Sequence, residues 1–524
     1  MKFMTKFRFV ILQFCMIAIS VQAQNTVVDF YPEWQNEGTT FRHTWEGMGN
    51  VDQFRWMVRG DMLEQLAMAS KELNMKHVRA VGIFDEEMKV FALDPTTWRQ
   101  PTNERKPRYN WQVIDYVIQS LLDRGIQPMI TTTFTPYLMA SGEQYCFSTK
   151  ANVTPPKDYA QWADLVTKTT QHFVERFGLE TVKDWYFEVW NEPNLDAFWK
   201  GADKQEYLKL WSVTYHAIKS VDKSFRIGGP SAARGEWIKE FIEYGRTNAC
   251  EPDYIITHVY NNDSPFSALS PFDGPQGNKE NDSPHFLSGV VKGVRKLMDE
   301  MNYKGEVHFN EWGRSWYPSD NVRETANEAA FIVKSMAESS QLADYFAYWC
   351  ISDIYDQLGY ASEAFAGTYG MLNMHGLKKP AYKAHEFLTF LGNKRVEIKS
   401  NGTNEMLNAI ATHSDKGYQF LLYAMDKVYT SDSIAKPFKF ELEIPAKAKN
   451  IKVYRIGEKD NNVISGWKAI GSPAYLKPEQ LKVLKQYNTM QAGTSKFLIS
   501  KSKNKRTLIV EAEMPGVVLI LLDK

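Results

Sequence analysis

The chain has 524 residues, more than one domain usually holds, so a catalytic domain with an accessory module is expected. Hydrophobic residues make up 44% and charged residues 24%, a composition typical of a globular protein and not of a disordered chain. Lysine plus arginine and aspartate plus glutamate each number 62, and no long basic run occurs. We therefore expect no nucleic-acid partner, because nucleic-acid binding needs a basic surface.

Residues 1–23 have the pattern of a cleaved signal peptide. Basic residues precede an apolar run at residues 9–19, and the small residues Val21 and Ala23 stand at alternate positions before the expected cleavage site. This run is too short to span a bilayer comfortably, and no later segment is long and apolar enough, so we expect no stable membrane insertion. The pattern predicts a secreted or periplasmic protein whose mature chain begins near Gln24.

The cysteines are too sparse for a disulfide framework. A lipid anchor at Cys15 is disfavoured because the bulky Phe14 precedes it. Cleavage would leave Cys146, Cys250 and Cys350, which are too few for a closed zinc site and leave one bridge open as an alternative. We expect no metal and no cofactor.

Residues 41–393 alternate short apolar runs with longer stretches of helical period. The eight candidate strands are residues 41–50, 76–84, 127–134, 185–190, 226–230, 254–260, 307–312 and 345–351. Residues 205–221 are an example of the intervening amphipathic helices. Such alternation implies parallel strands with right-handed crossovers, and eight units close as an α/β fold of the (β/α)8 TIM barrel type. An open doubly wound sheet is the alternative, although no glycine-rich dinucleotide turn follows the first strand.

Residues 394–524 change to a period of two, which is typical of half-buried strands. Apolar and charged residues alternate strictly at residues 438–444, and further strands are predicted at residues 419–425, 451–456 and 507–522. This pattern predicts an accessory β-sandwich domain. Residues 24–40 are a candidate for one more strand of it.

Two glutamates stand where predicted barrel strands give way to loops. Glu192 follows the fourth strand and Glu311 ends the seventh, and reactive groups of barrel enzymes lie at these carboxyl ends. Because the two strands face each other, the carboxyl groups are expected about 5 Å apart, the separation of a retaining glycoside hydrolase. Trp312 and Trp349 are candidates for limiting solvation and stacking on sugar, and Asn191 for a hydrogen bond to the hydroxyl beside the reacting carbon.

Glu192 stands in the run Trp190-Asn191-Glu192-Pro193-Asn194, in which an asparagine directly precedes the glutamate. This pattern resembles the acid/base motif of glycoside hydrolase family 39, the family of β-xylosidases and α-L-iduronidases. Further matches, in the family's order, lie within residues 134–142, 155–159, 227–230, 257–260 and 379–382. The resemblance covers roughly residues 75–390 and implies that Glu192 is the acid/base and Glu311 the nucleophile. It also implies that His258 and Tyr260 contact sugar hydroxyls or orient the nucleophile.

Arg79 ends the second predicted strand and has two interpretations. It could hold a carboxylate of the substrate, but we favour pairing with a catalytic glutamate, which would keep that glutamate ionised. Glu188 lies four residues before Glu192, so we expect its side chain on the same face as a buried partner.

The resemblance is incomplete around the expected sugar site. Val81 stands where the xylosidases carry a histidine, and the family's acidic pair is Asp356-Gln357 here. We predict a retaining, exo-acting, β-xylosidase-like enzyme whose partner is an oligosaccharide or polysaccharide fragment from plant or host. The alternatives are an arabinosidase, a galactosidase, an iduronidase-like enzyme or a non-catalytic carbohydrate-binding protein, and no oligomeric state is predicted.

Overall fold

The computed structural model describes residues 27–263, 283–430, 432–492, 497–502 and 505–524. The predicted signal peptide at residues 1–23 therefore lies outside the described residues. Within those ranges, no helix combines the length and the hydropathy that crossing a bilayer requires.

Eight parallel strands form the predicted barrel. They are Gly47–Gln53, Met75–Val81, Gln127–Thr131, Tyr186–Glu188, Arg226–Ala233, Tyr254–Tyr260, Glu306–Gly313 and Tyr345–Tyr348, and each pairs with its neighbour along the chain. The N–H of Phe346 donates to the carbonyl of Thr44 at 2.7 Å, and that of Ile351 to Asn50 at 2.9 Å. Each bond joins one of these two end strands to the segment that flanks the other, so the cylinder closes here, which confirms the (β/α)8 TIM barrel.

Helices of the predicted kind surround the strands. They are Gly60–Leu73, Gln112–Leu122, Tyr159–Phe177, Leu179–Lys183, Lys204–Val221, Ile238–Thr247, Phe286–Glu300, Ala326–Ser339 and Pro380–Thr389. The helix predicted at residues 205–221 begins at Lys204, since the Asp203 carboxylate accepts hydrogen bonds from the N–H groups of Gln205 and Glu206. Its apolar stripe is buried against the barrel, as its period predicts.

Some predicted strand bounds were wrong. The first strand begins at Gly47 and not at residue 41, because the chain turns between His43 and Glu46 while Phe41 and Trp45 still point into the core. Short strands in the loops were not predicted; they are Phe91–Leu93 with Pro107–Tyr109, and Tyr145–Cys146 with Ala151–Asn152. Cys146, Cys250 and Cys350 are buried and free, so no bridge forms among them.

The accessory domain is a sandwich of two sheets. One sheet has the order Ile398–Asn401, Val28–Pro32, Lys436–Ile444, Lys505–Met514 and Phe497–Ser502. The other has the order Thr39–Thr40, Lys394–Val396, Leu407–Ser414, Gly417–Ala424, Gly516–Asp523 and Lys449–Ile456. The segment at residues 24–40 thus supplies a strand to each sheet. The single strand predicted at residues 507–522 was wrong, because Pro515, which has no N–H to donate, stands where the chain passes between the sheets.

The sandwich shares its core with the barrel. Ile410, Leu421 and Leu519 belong to the same buried cluster as Phe331 and Phe387 of the barrel helices. A second contact comes from an unpredicted helical insertion, Val463–Ala469, Pro478–Leu484 and the 3-10 turn Lys485–Asn488. This insertion packs on the segment after the eighth barrel strand, so the sandwich supports the loops at that end of the barrel.

Candidate active site

Glu192 and Glu311 meet at the carboxyl ends of the barrel strands. An oxygen of each carboxyl group and a ring nitrogen of His258 all lie within 4.8 Å of one another. Both glutamates are only 7% exposed. Glu311 lies within the seventh strand, whereas Glu192 follows the fourth, where Trp190 and Glu192 adopt positive φ angles of 70° and 44°. This bend leads the chain out of the ladder, and strained backbone of this kind is typical of functional sites.

A cavity of about 730 Å³ opens above the two glutamates. Three of the other predicted site residues, Asn191, Tyr260 and Trp349, line it. Trp312 does not line it: its ring packs against Phe331 and Tyr348 in the buried layer. Successive residues of a strand point to opposite faces, so Trp312 points away from the barrel axis when Glu311 points toward it.

Arg79 is fully buried beneath the cavity and holds the acidic residues together. Its Nε and Nη2 donate to the two oxygens of Glu188 at 2.7 and 3.2 Å. Its Nη1 donates to Glu311 Oε2 at 3.1 Å, and Nη2 also donates to Asn191 Oδ1 at 2.6 Å. The arginine therefore pairs with Glu311, the glutamate predicted to be the nucleophile, and is not among the residues lining the cavity.

Glu188 is the buried counter-ion of this arrangement. Besides Arg79, it accepts hydrogen bonds from the hydroxyls of Thr131 and Ser231 at 2.6 and 2.7 Å, and from Asn310 Nδ2 at 3.0 Å. Burial raises the pKa of Glu188, but the Arg79 charge and these donors outweigh it and hold the pKa below its usual value. An ionised carboxylate whose two oxygens both accept hydrogen bonds holds Arg79 in a fixed position.

The environments of the two glutamates differ in the donors they receive. Tyr260 Oη donates to Glu311 Oε1 at 2.8 Å, and Arg79 donates to Oε2, so both oxygens of Glu311 accept a hydrogen bond. Burial raises the pKa of Glu311, and the Arg79 charge and the hydrogen bond from Tyr260 oppose that rise. Burial raises the pKa of Glu192 to about 7. Glu192 is thus suited to hold a proton and Glu311 to be ionised.

His258 lies between the two carboxyl groups. Burial lowers its pKa to about 4, so the imidazole is neutral at neutral pH. Its Nδ1 is 3.0 Å from Glu192 Oε1 and 3.5 Å from Glu311 Oε2, while Nε2 is 3.5 Å from Arg79 Nη2. His258 is thus hydrogen-bonded to Glu192 through Nδ1 and lies close enough to Glu311 to link the two carboxyl groups.

Glu192, His258 and Glu311 are also the group of described residues whose donor atoms could converge on a metal ion. The Arg79 guanidinium next to Glu311 offsets the negative charge that would attract a cation. The arrangement is better suited to moving a proton and forming a covalent bond than to binding a metal.

Several residues of the site were not predicted from the sequence. Thr131, Ser231 and Asn310 hold Glu188, and Arg234 and Trp316 line the cavity. Asn310 directly precedes Glu311, and Ser231 directly follows the matched residues 227–230 of the fifth strand. Their positions near the carboxyl ends of barrel strands could have identified them as candidate site residues. Trp316 lies in a loop, and nothing in its local pattern indicates a cavity.

Comparisons with known proteins point to one family. The model of glycosyl hydrolases family 39 matches residues 22–503. The chain is 30% identical over 482 residues to a β-xylosidase of Geobacillus stearothermophilus, covering 90% of this chain and 92% of that protein. It is 32% identical over 429 residues to a β-xylosidase of Caldicellulosiruptor saccharolyticus, covering 82% and 84%. The crystal structure of a monomeric β-xylosidase from Caulobacter crescentus CB15 superposes with a TM-score of 0.80 at 28% identity, covering 95% and 99%.

Proposed function

The chain belongs to glycosyl hydrolases family 39 and is a retaining glycoside hydrolase, and we propose that it is exo-acting and β-xylosidase-like, with plant or host polysaccharide fragments as substrates. The observation that carries the retaining mechanism is the pair of buried carboxyl groups with oxygens within 4.8 Å, of which Glu311 is held by Arg79 and Tyr260. That separation leaves no room for a water between carboxylate and sugar, so Glu311 attacks the sugar directly.

The reaction has two steps. In the first, a Glu311 oxygen forms a bond to the anomeric carbon while the bond to the leaving oxygen breaks and Glu192 gives that oxygen its proton. In the second, the Glu192 carboxylate takes a proton from water, whose oxygen displaces Glu311 from the anomeric carbon. Two inversions restore the starting configuration, and Glu192 ends protonated again.

The relatives support xylose as the sugar that is cleaved off, and the lining of the cavity bears on how that sugar would be bound. The two relatives with about 30% identity are named β-xylosidases. Val81 lines the cavity, so the hydroxyl contact expected of a histidine at that position is replaced by an apolar one. A uronic acid would need a cation, and the described cation of the lining, Arg234, is paired with Glu236 at 3.0 Å. We therefore place xylosides before iduronides.

A panel of nitrophenyl glycosides tests the proposal. We expect 4-nitrophenyl β-D-xyloside to have a higher kcat/KM than the corresponding arabinoside, galactoside and iduronide. Proton NMR of the first product should show β-xylose before mutarotation. Initial release of the α-anomer would contradict retention, and a preference for another glycone would contradict the xyloside assignment alone.

The pH dependence of kcat/KM follows from the pKa of Glu192. The acid must be protonated, so kcat/KM is expected to fall tenfold per pH unit at pH values above about 7, as Glu192 loses its proton. The Glu192→Gln variant, assayed with a dinitrophenyl glycoside whose leaving group needs little protonation, should lack this alkaline decline. An unchanged alkaline decline in that variant would show that another group titrates there.

We also propose that the protein is exported, either secreted or periplasmic. The basic, apolar and small-residue order of residues 1–23 supports this. N-terminal sequencing of the protein after expression from its complete reading frame should begin near Gln24, and an intact Met1 in the exported protein would contradict cleavage.

A further inference from the structure

The described part of the cavity has more apolar than polar lining. Its aromatic members include Tyr145, Phe147, Phe198 and Trp316, and its aliphatic members include Leu195 and Leu358. In an exo-acting enzyme the glycone occupies the closed end beside the catalytic pair, so the leaving group extends toward the mouth. Three of these residues are exposed at the mouth: Tyr145 at 41%, Trp316 at 46% and Leu358 at 76%.

Five polar side chains of this lining already have partners within the protein, although Arg234 Nε has none. The pairs are Asn262 with Ser315, Asp263 with the N–H of Tyr260, Arg234 with Glu236, Gln357 with Asp52, and Tyr355 with Gln357. A sugar in the leaving-group position would present several hydroxyls that need donors and acceptors. Binding such a sugar would compete with existing hydrogen bonds, whereas an apolar leaving group would leave them intact.

The wall on the side of the acid/base is a fixed aromatic pair. Phe198 lies six residues after Glu192, and its carbonyl accepts a hydrogen bond from Trp190 Nε1 at 2.7 Å. Its ring is 5.6 Å from that of Phe147, centroid to centroid, and both rings are half-buried. Because Glu192 protonates the leaving oxygen, a ring attached close to that oxygen would reach this pair.

A second aromatic surface comes from the loop after the seventh strand. The N–H of Trp316 donates to Asn262 Oδ1 at 3.0 Å, and its carbonyl accepts a hydrogen bond from the Tyr369 hydroxyl. The backbone is therefore fixed on both sides while the indole is exposed at the mouth. An exposed indole on a fixed backbone is a binding surface for a flat apolar group, because its broad apolar face can stack on such a group.

We propose that the mouth of this cavity is a binding site for an aromatic aglycone, so that the preferred substrates are glycosides of aryl or arylalkyl alcohols, such as plant phenolic glycosides. The inference rests on the proposed exo-acting function and narrows its substrates: polysaccharide fragments, whose leaving group is a sugar, would be poorer substrates than aryl or arylalkyl glycosides. Trp316 and the Phe147–Phe198 pair would contact the aglycone ring, and Glu192 would protonate the oxygen that joins it to the sugar.

The test compares benzyl and methyl β-D-xyloside. Their leaving alcohols are similar in acidity, so a difference in kcat/KM reports contacts to the ring and not ease of bond breaking. We expect a benzyl-to-methyl ratio of about 10 or more in the parent enzyme. Trp316→Ala and Phe198→Ala should each lower that ratio about 3- to 10-fold, the range of one aromatic contact. The matched control is Tyr475→Ala, which removes an aromatic that is 83% exposed on the accessory domain and should leave the ratio unchanged.

The outcomes separate this inference from the proposed function. A ratio near 1, a ratio that neither variant lowers, or a higher kcat/KM for xylobiose than for benzyl xyloside would overturn the aglycone site. If no xyloside is hydrolysed, the glycone assignment fails instead. The benzyl and methyl glycosides of the sugar that the nitrophenyl panel identifies then give the same test of the aglycone site.

Discussion

Glu311→Gly is expected to lower kcat on nitrophenyl glycosides by at least about 10⁴-fold, because no other described group is placed to bond to the anomeric carbon. Arg79 and Tyr260 each donate a hydrogen bond to one oxygen of Glu311. In the glycine variant these donors remain, but the carboxylate that they hold in place is gone. Sodium azide can enter the vacated space and attack in its place. Rescue by azide should give a glycosyl azide of inverted configuration, detectable by NMR.

The control for this variant lies on the same strand. Glu306 is at the amino end, away from the cavity, where it bonds to Tyr186 and His308. Glu306→Gln should retain kcat within about twofold, since it touches none of the reacting groups. Full activity of Glu311→Gly on every glycoside tested would contradict the assignment of the nucleophile.

Arg79→Ala is expected to cost about 3–5 kcal/mol of unfolding free energy at pH 7, because it leaves the Glu188 carboxylate buried without its counter-ion. The control Arg59→Ala removes an exposed pair with Asp61, and its expected effect is below about 1 kcal/mol. Urea unfolding of both variants measures the difference. An equal loss of stability in the two variants would show that the buried cluster does not depend on Arg79.

The effect of Arg79→Ala on stability should depend on pH. In the parent enzyme the pKa of Glu188 is lowered, so its stabilisation is present above its unfolded pKa and is lost as pH falls through the folded pKa. Without Arg79, burial would raise the pKa of Glu188, and the ionised form would destabilise the fold at neutral pH. The difference in unfolding free energy between the parent enzyme and Arg79→Ala should therefore be largest at pH 7 and become smaller toward pH 4. Arg79 also lowers the pKa of Glu311, so the acid limb of kcat/KM should move to higher pH in any folded variant.

The sequence predicts the barrel well because its strands are short, apolar and regularly separated by amphipathic helices. The proposed catalytic pair stands out in the sequence for the same reason, since Glu192 and Glu311 each come after an apolar run. Strand bounds are less predictable: Phe41 and Trp45 are buried from a turn, and burial alone gives the same pattern as a strand. The alternation of apolar and polar residues in residues 507–522 also does not show that the chain passes from one sheet to the other at Pro515.

The contacts within the site depend on barrel closure and could not be predicted. Arg79 and Glu188 are 109 residues apart in sequence. They can pair because a single strand, Gln127–Thr131, lies between their two strands in the sheet. Trp312 was assigned to the substrate because it adjoins Glu311, but the alternation of a strand puts neighbours on opposite faces. Trp316 reaches the cavity through a loop held by Asn262 and Tyr369, which no local pattern encodes.

Trapping the covalent intermediate tests the central claim most directly. A 2-deoxy-2-fluoro glycosyl fluoride of the hydrolysed sugar slows both steps but leaves an accumulating glycosyl-enzyme, because its fluoride leaves without protonation. Mass spectrometry of the digested protein should find one added glycosyl group on the peptide that contains Glu311. A label on Glu192 or Glu188, or an unlabelled protein that releases product of inverted configuration, would contradict double displacement by this pair.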